Sequence, residues 1–187
     1  MTYTSQYADI DIADCGHYEY TFGGITESEL DRTAVTEAVT GDSVTYRELL
    51  ERIDALAGEL AARGITEGDV VALQVPNSIN FVVVKYAILK LGATFSAIGM
   101  LMNQADVEKQ IELSGAKLFI GATDVEEISQ IFVYELSSIY AKGLSADEVQ
   151  VLGSATAAIP FSSGTTGLPK GVVLSNRALN AIVAVVD

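Results

Sequence analysis

Apolar residues recur at Leu49, Leu50, Ile53, Leu56, Ala57, Leu60 and Ala61, a three- and four-residue rhythm that draws one stripe along a helix spanning about 46–63. Thr45 and Glu48 have the spacing of a capping box, and Gly64 is placed as a left-handed stop. The rhythm then changes. Val70–Val75 is short, mostly apolar and rich in β-branched residues, which predicts a strand buried on both faces, as in a parallel sheet. Pro76-Asn77-Ser78 interrupts it and opens a helix through Phe81, Val84, Ile88 and Leu91, ending at Gly92. Ala93–Ile98 reads as a second strand. Asn103 caps a third helix through Val107, Ile111 and Leu113, stopped by Gly115, and Lys117–Ile120 reads as a third strand.

Strand and helix alternating at this spacing predict an α/β fold, with parallel βαβ sheet layers flanked by helices. Residues 1–43 read as an irregular, acidic lead-in with turns at Gly23-Gly24 and Gly41-Asp42, and residues 44–187 as a partial domain. Within 123–156, Ile128, Ile131, Phe132, Leu136 and Ile139 suggest a helix, while the acidic stretch after Lys142-Gly143 has no clear period. Residues 180–187 are an apolar run that begins an element and supplies nothing to cover it, as a truncated chain would. Such an end would favour a homo-oligomer.

Composition narrows the function classes. A net charge of −14 over 187 residues argues against a large surface for nucleic acid or anionic membrane. The charge is uneven: residues 154–187 carry +1 and the rest −15, so the final stretch is where an anion meets least repulsion. Cys15 is the only cysteine, which excludes an intrachain disulfide and fits a reducing, cytoplasmic setting. His17 is the only histidine, so a histidine-based zinc site or a Ser–His relay elsewhere lacks its parts. No apolar run is long enough to span a bilayer, and no secretory signal is visible.

The chemistry concentrates in Phe161-Ser162-Ser163-Gly164-Thr165-Thr166-Gly167-Leu168-Pro169-Lys170-Gly171. Ala157–Phe161 before it and Val172–Ser175 after it read as strands. Glycines let backbone N–H groups converge on an anion, hydroxyls donate to phosphate oxygens or help hold magnesium, and a lysine adds a mobile point charge. Ser162, Ser163, Gly164, Thr165, Thr166, Gly167, Lys170 and Gly171 are therefore candidate phosphate-binding residues. No acid, base, nucleophile or metal ligand is assigned. The plain alternative is a Gly/Ser/Thr hairpin turn in a non-catalytic acidic domain that binds a partner. The segment does not fit G-x-x-x-x-G-K-[ST], because Pro169 precedes the lysine and Gly171 follows it.

The stretch Ser162–Gly171 resembles the phosphate-loop signature of the adenylate-forming, AMP-binding superfamily, which includes acyl-CoA synthetases, coumarate–CoA ligases, luciferases and peptide-synthetase adenylation domains. Thr45–Leu49, Val75–Ser78, Leu89–Ala93 and Ser114–Lys117 are similar to other stretches of that superfamily, whereas Asn176 stands where many relatives have histidine. The resemblance implies part of the N-terminal domain of an acid–thiol ligase. Such an enzyme activates a small carboxylic acid, fatty or aryl, with ATP and Mg2+, then transfers it to coenzyme A. Leu168–Val173 looks more like an acyl-CoA synthetase than a peptide-synthetase adenylation domain, which is the alternative within the family. It also implies that adenine and ribose contacts, the acidic magnesium residue, the acyl pocket and the hinge lie outside these residues, so that the fragment alone would be inactive.

Overall fold

The structure, a computed structural model, describes residues 10–162 and 169–186. The lead-in is not irregular throughout. It holds helix α1 (His17–Phe22), a 3-10 turn at Glu27–Glu29, and a hairpin of strands β1 (Thr33–Thr36) and β2 (Ser43–Thr45). These elements are too short to set up a periodic stripe, and they bury only isolated side chains such as Phe22 and Val44 in the main core.

At Thr45 the chain enters α2 (Tyr46–Ala62). The Glu48 N–H donates to Thr45 Oγ1, and the Glu48 carboxylate accepts from the Thr45 N–H at 2.8 Å. The expected box is closed, satisfying N–H groups that a first helical turn leaves without partners. Gly64 follows the helix at φ 84°, a left-handed conformation that glycine adopts without strain.

The expected alternation follows as β3 (Val70–Gln74), α3 (Ile79–Lys90), β4 (Thr94–Ala97), α4 (Gln104–Ser114) and β5 (Leu118–Gly121). Ser78 and Asn103 cap the two helices, each side chain accepting from the N–H three residues on. Both β4 and β5 pair parallel with β3, so the chain steps to one side of β3 and then crosses to the other. The pleat sends Val71 and Leu73 into the core shared with α2 and α3, and Ala72 into the opposite cluster with Val107 and Ile111 of α4. Burying side chains of this size stabilises by about 1.5–3 kcal/mol each.

Segment 123–156 departs from the single helix suggested by its apolar spacing. Strand β6 (Ser129–Phe132) pairs parallel with β5, a 3-10 turn spans Val133–Glu135, and α5 (Leu136–Tyr140) is short. Pairing with the edge of β5 satisfies the backbone and fully buries Ile131 opposite Ile120, which local period alone does not reveal. The β5–β6 connection, residues 122–128, has only seven residues, where parallel strands ordinarily need a crossover of about a dozen or more. It carries no helix. A groove of about 780 Å³ lies between it and α4, with Ile111 and Val125 beside Glu108, Glu112, Glu126 and Glu127.

The last elements are β7 (Thr156–Ala158), β8 (Phe161–Ser162), β9 (Lys170–Gly171), β10 (Leu174–Ser175) and α6 (Asn176–Val186). The strand expected over 157–161 is split at Ile159-Pro160, where proline has no N–H for a ladder. The strand expected over 172–175 begins only at Leu174. The main sheet runs β10-β7-β4-β3-β5-β6, parallel except for the antiparallel edge β10.

Candidate functional site

Strand β7 runs parallel to β4, so residues after Ala158 leave the sheet at its carboxyl end. Ligands of α/β sheets bind at that end. Three bonds hold this exit against β4. Thr94 Oγ1 donates to Thr156 O at 3.0 Å, the Ile159 N–H donates to Phe95 O at 2.9 Å, and Ser96 Oγ donates to Ile159 O at 2.9 Å. From there β8 and β9 form two antiparallel arms, with Phe161 opposite Gly171 and Ser162 opposite Lys170.

Three of the candidate phosphate-binding residues lie on these arms: Ser162, Lys170 and Gly171, all exposed. Ser163, Gly164, Thr165, Thr166 and Gly167 lie outside the described residues. A Cβ at position 171 would come within 3.0 Å of Ile159 Cγ2 and 3.3 Å of Phe161 Cζ, so glycine lets those side chains pack beneath β9. The Val172 N–H donates to Pro160 O at 2.8 Å and draws the second arm back toward the sheet. Among the described residues, Lys170 makes no ion pair, which leaves its charge available to an anion.

The structure adds residues that sequence reasoning missed. Gln74, 3% exposed, donates from Nε2 to Gly99 O at 3.1 Å and accepts from Thr123 Oγ1 at 2.9 Å. It therefore ties the carboxyl ends of β3, β4 and β5 together on the edge from which the arms emerge. The available signal was an amide closing an otherwise apolar strand. The loop after β4 presents Met100, Leu101 and Met102 to solvent at the same edge.

Asn176, noted in the sequence for standing where many relatives have histidine, is buried at the start of α6. Its N–H and Nδ2 both donate to Ala155 O, at 2.9 and 3.0 Å, and its Oδ1 accepts from the His17 N–H at 2.9 Å. The residue following β10 is thus fastened to the entry of β7. Cys15 has no activating partner: burial, then Glu19, Asp14 and Glu148, push its thiol pKa up and keep it protonated. Among the described residues, no three His, Cys, Asp or Glu side chains are grouped to hold a metal ion.

Comparison with known proteins gives a consistent picture. The AMP-binding enzyme family matches residues 25–187. A "4-coumarate--CoA ligase-like 1" of Arabidopsis thaliana is 30% identical over 180 residues, covering 87% of this chain and 33% of the relative. Malpibaldin synthetase of Mortierella alpina is 34% identical over 165 residues, covering 82% of this chain and 3% of that much longer protein. Among solved structures, ATP-bound MatB from Rhodopseudomonas palustris superposes with a TM-score of 0.74 at 23% identity, over 86% of this chain and 35% of that one. The chain spans about a third of the length of the coumarate ligase-like relative.

Proposed function

The chain belongs to the AMP-binding enzyme family, and from that premise we propose that it supplies the phosphate-gripping part of an ATP-dependent acid–thiol ligase. In the reaction proposed, a carboxylate oxygen attacks the α-phosphorus of ATP, the bond to the β-phosphate breaks, and pyrophosphate leaves. The thiol of coenzyme A then takes the acyl group and releases AMP. The first step brings a carboxylate toward a polyanion, so it needs donors and positive charge aimed at the phosphates. Magnesium bound to the nucleotide would neutralise part of that charge.

The observation that carries this reading is the pair of arms at the carboxyl end of the parallel strands, with Ser162 facing Lys170 across them. Hydroxyls and backbone N–H groups of Ser162, Ser163, Gly164, Thr165, Thr166, Gly167 and Gly171 would hold the phosphates, and Lys170 would follow the departing pyrophosphate. Hydroxyl oxygens are also hard donors of the kind magnesium accepts, which suits a metal that arrives on the nucleotide. The lone thiol of Cys15 supports a reducing compartment such as the cytoplasm, and among the described residues no helix is long and apolar enough to cross a membrane. The identity shared with Malpibaldin synthetase supports a second reading within the family, a synthetase-type adenylation domain with another acceptor.

Titration calorimetry with Mg·ATP tests the grip on this chain. Lys170→Ala should bind about tenfold more weakly, the loss of one charge-assisted contact. An unchanged affinity would remove Lys170 from the site. In the longer enzyme, pyrophosphate release with a panel of carboxylic acids, and coenzyme A against a carrier thiol as acceptor, separates the two readings.

A further inference from the structure

Two lysines of α3 stand among aromatic rings, and only one of them has a counter-ion. Lys90 Nζ lies 5.8 Å from the centre of the Tyr18 ring and pairs with Asp54. Lys85 Nζ lies 4.5 Å from the centre of the Tyr86 ring and 6.0 Å from that of Phe95. Among the described residues no carboxylate pairs with it. Scarcity of acid is not the reason, since the chain carries 25 Asp and Glu against 11 Lys and Arg. An ammonium has three donors. His17 Nδ1 donates to Asn180 Oδ1 at 2.9 Å, so its Nε2 is left to accept one of them at 3.4 Å. The other two have no partner among the described residues. Ring faces replace part of the hydration a half-buried charge loses, and a counter-ion would replace more.

Lys85 also lines a hollow of about 340 Å³ between α1, β1, α2 and α3. Phe22, Val35, Tyr46, Phe81 and Tyr86 make up much of its wall, which is therefore largely aromatic. Phe22 meets Tyr86 edge-on, with centroids 4.7 Å apart, and each ring braces the other. The Tyr86 hydroxyl is 3.4 Å from Thr21 Oγ1, whose own proton goes to His17 O at 2.7 Å. The phenol is then the donor of that long contact and can turn to a better acceptor. Glu37, in the adjoining hollow past Val35 and Phe81, is already engaged. Its Oε1 accepts from the Ile79 N–H at 2.8 Å and its Oε2 from Thr40 Oγ1 at 3.3 Å.

We propose that this hollow is a second ligand site that takes a small aryl monocarboxylate. The ring would lie against Phe22, Val35 and Phe81, and the carboxylate would accept from Lys85 Nζ and the Tyr86 hydroxyl. Each part of the ligand answers an observation. Aromatic walls match a flat apolar body, and one unpaired ammonium matches one negative charge. A dianion such as a phosphate ester would bring a second charge into an apolar space with nothing to meet it. The volume is at the small end for ligand pockets, which suits one ring with a short acid arm. No residue of β7, β8, β9 or β10 lines the hollow, so the site stands whether or not the arms grip a polyphosphate.

NMR titration of the 187-residue chain with 3-phenylpropionate and with its neutral amide, 3-phenylpropanamide, tests the site. The acid should bind about tenfold more tightly than the amide, the difference made by one charge-assisted contact. It should also shift the methyl signals of Val35 and Val82, which lie on the wall. Lys85→Met keeps the stem and removes the charge. It should weaken the acid about tenfold and leave the amide unchanged, which a merely structural role for Lys85 would not do. Phe81→Ala should weaken both ligands alike. Equal affinity of acid and amide in the wild type, or binding of neither, overturns the proposal. So does an acid that binds without moving the Val35 and Val82 signals. If Lys85→Met does not fold, the comparison of acid with amide in the wild type decides the matter.

Discussion

Glycine inside a helix ordinarily costs about 1 kcal/mol relative to alanine, yet Gly58 lies in the buried middle of α2. The strap after α5 explains it. A Cβ at position 58 would come 2.6 Å from Ser145 N and 2.8 Å from Leu144 Cβ. Backbone cannot be cleared by turning a side chain, so Gly58→Ala should destabilise by about 1–3 kcal/mol in spite of its better helix propensity. Urea unfolding should show a lower midpoint at constant slope. A raised midpoint would mean that the strap moves aside freely. Gly171 follows the same logic beside the proposed site: its missing side chain makes room for Ile159 and Phe161.

Helix α2 is also tied at its far end to elements distant in sequence. The buried Glu59 accepts from Arg63 Nε at 3.0 Å and Lys142 Nζ at 2.7 Å, and Arg63 Nη1 donates to Gln130 O at 2.9 Å. Lys142 is the main cause of a Glu59 pKa held below its ordinary 4.5, helped by Arg63 and opposed by burial. The stability this contributes is complete above about pH 4.5 and is lost as pH falls through the folded value. Glu59→Gln should cost about 2 kcal/mol at neutral pH, and the gap in urea midpoint should close toward pH 3. A gap that stays constant would assign the effect to packing rather than charge. Helices α2, α3 and α4 were legible in the sequence because each follows a cap residue and carries apolar residues at helical spacing, in α3 on nearly every face. Strand β6 was not, because the spacing from Ile128 to Ile139 imitates a helix and only the edge of β5 decides otherwise. The segment Phe161–Gly171 stood out for its density of glycine and hydroxyl residues, but the pairing of Phe161 and Ser162 with Gly171 and Lys170 was not read, because two-residue strands set up no alternation. The bond between His17 and Asn180 was hidden, since it joins residues 163 positions apart, which no local pattern reports.

Over the whole molecule, the charge is carried away from the arms: −15 over residues 1–153 and +1 over 154–187. On the proposed function, a polyphosphate approaching the arms would meet the least repulsion there, and the effect should weaken with salt. Helix α6 leaves Ile182 65% and Val185 70% exposed on one side, while Asn176 and Asn180 on its other side are buried against His17. This apolar surface should drive concentration-dependent self-association. Ile182→Asp combined with Val185→Asp should return the chain to monomer in sedimentation velocity, and a wild type monomeric at every concentration would reject that surface. The abbreviated connection between β5 and β6 has a different consequence. Extra residues spliced into it would project over an acidic hollow beside α4 without disturbing any strand register, so this seam is where the sheet can accept new chain while the edge that bears the arms stays as it is.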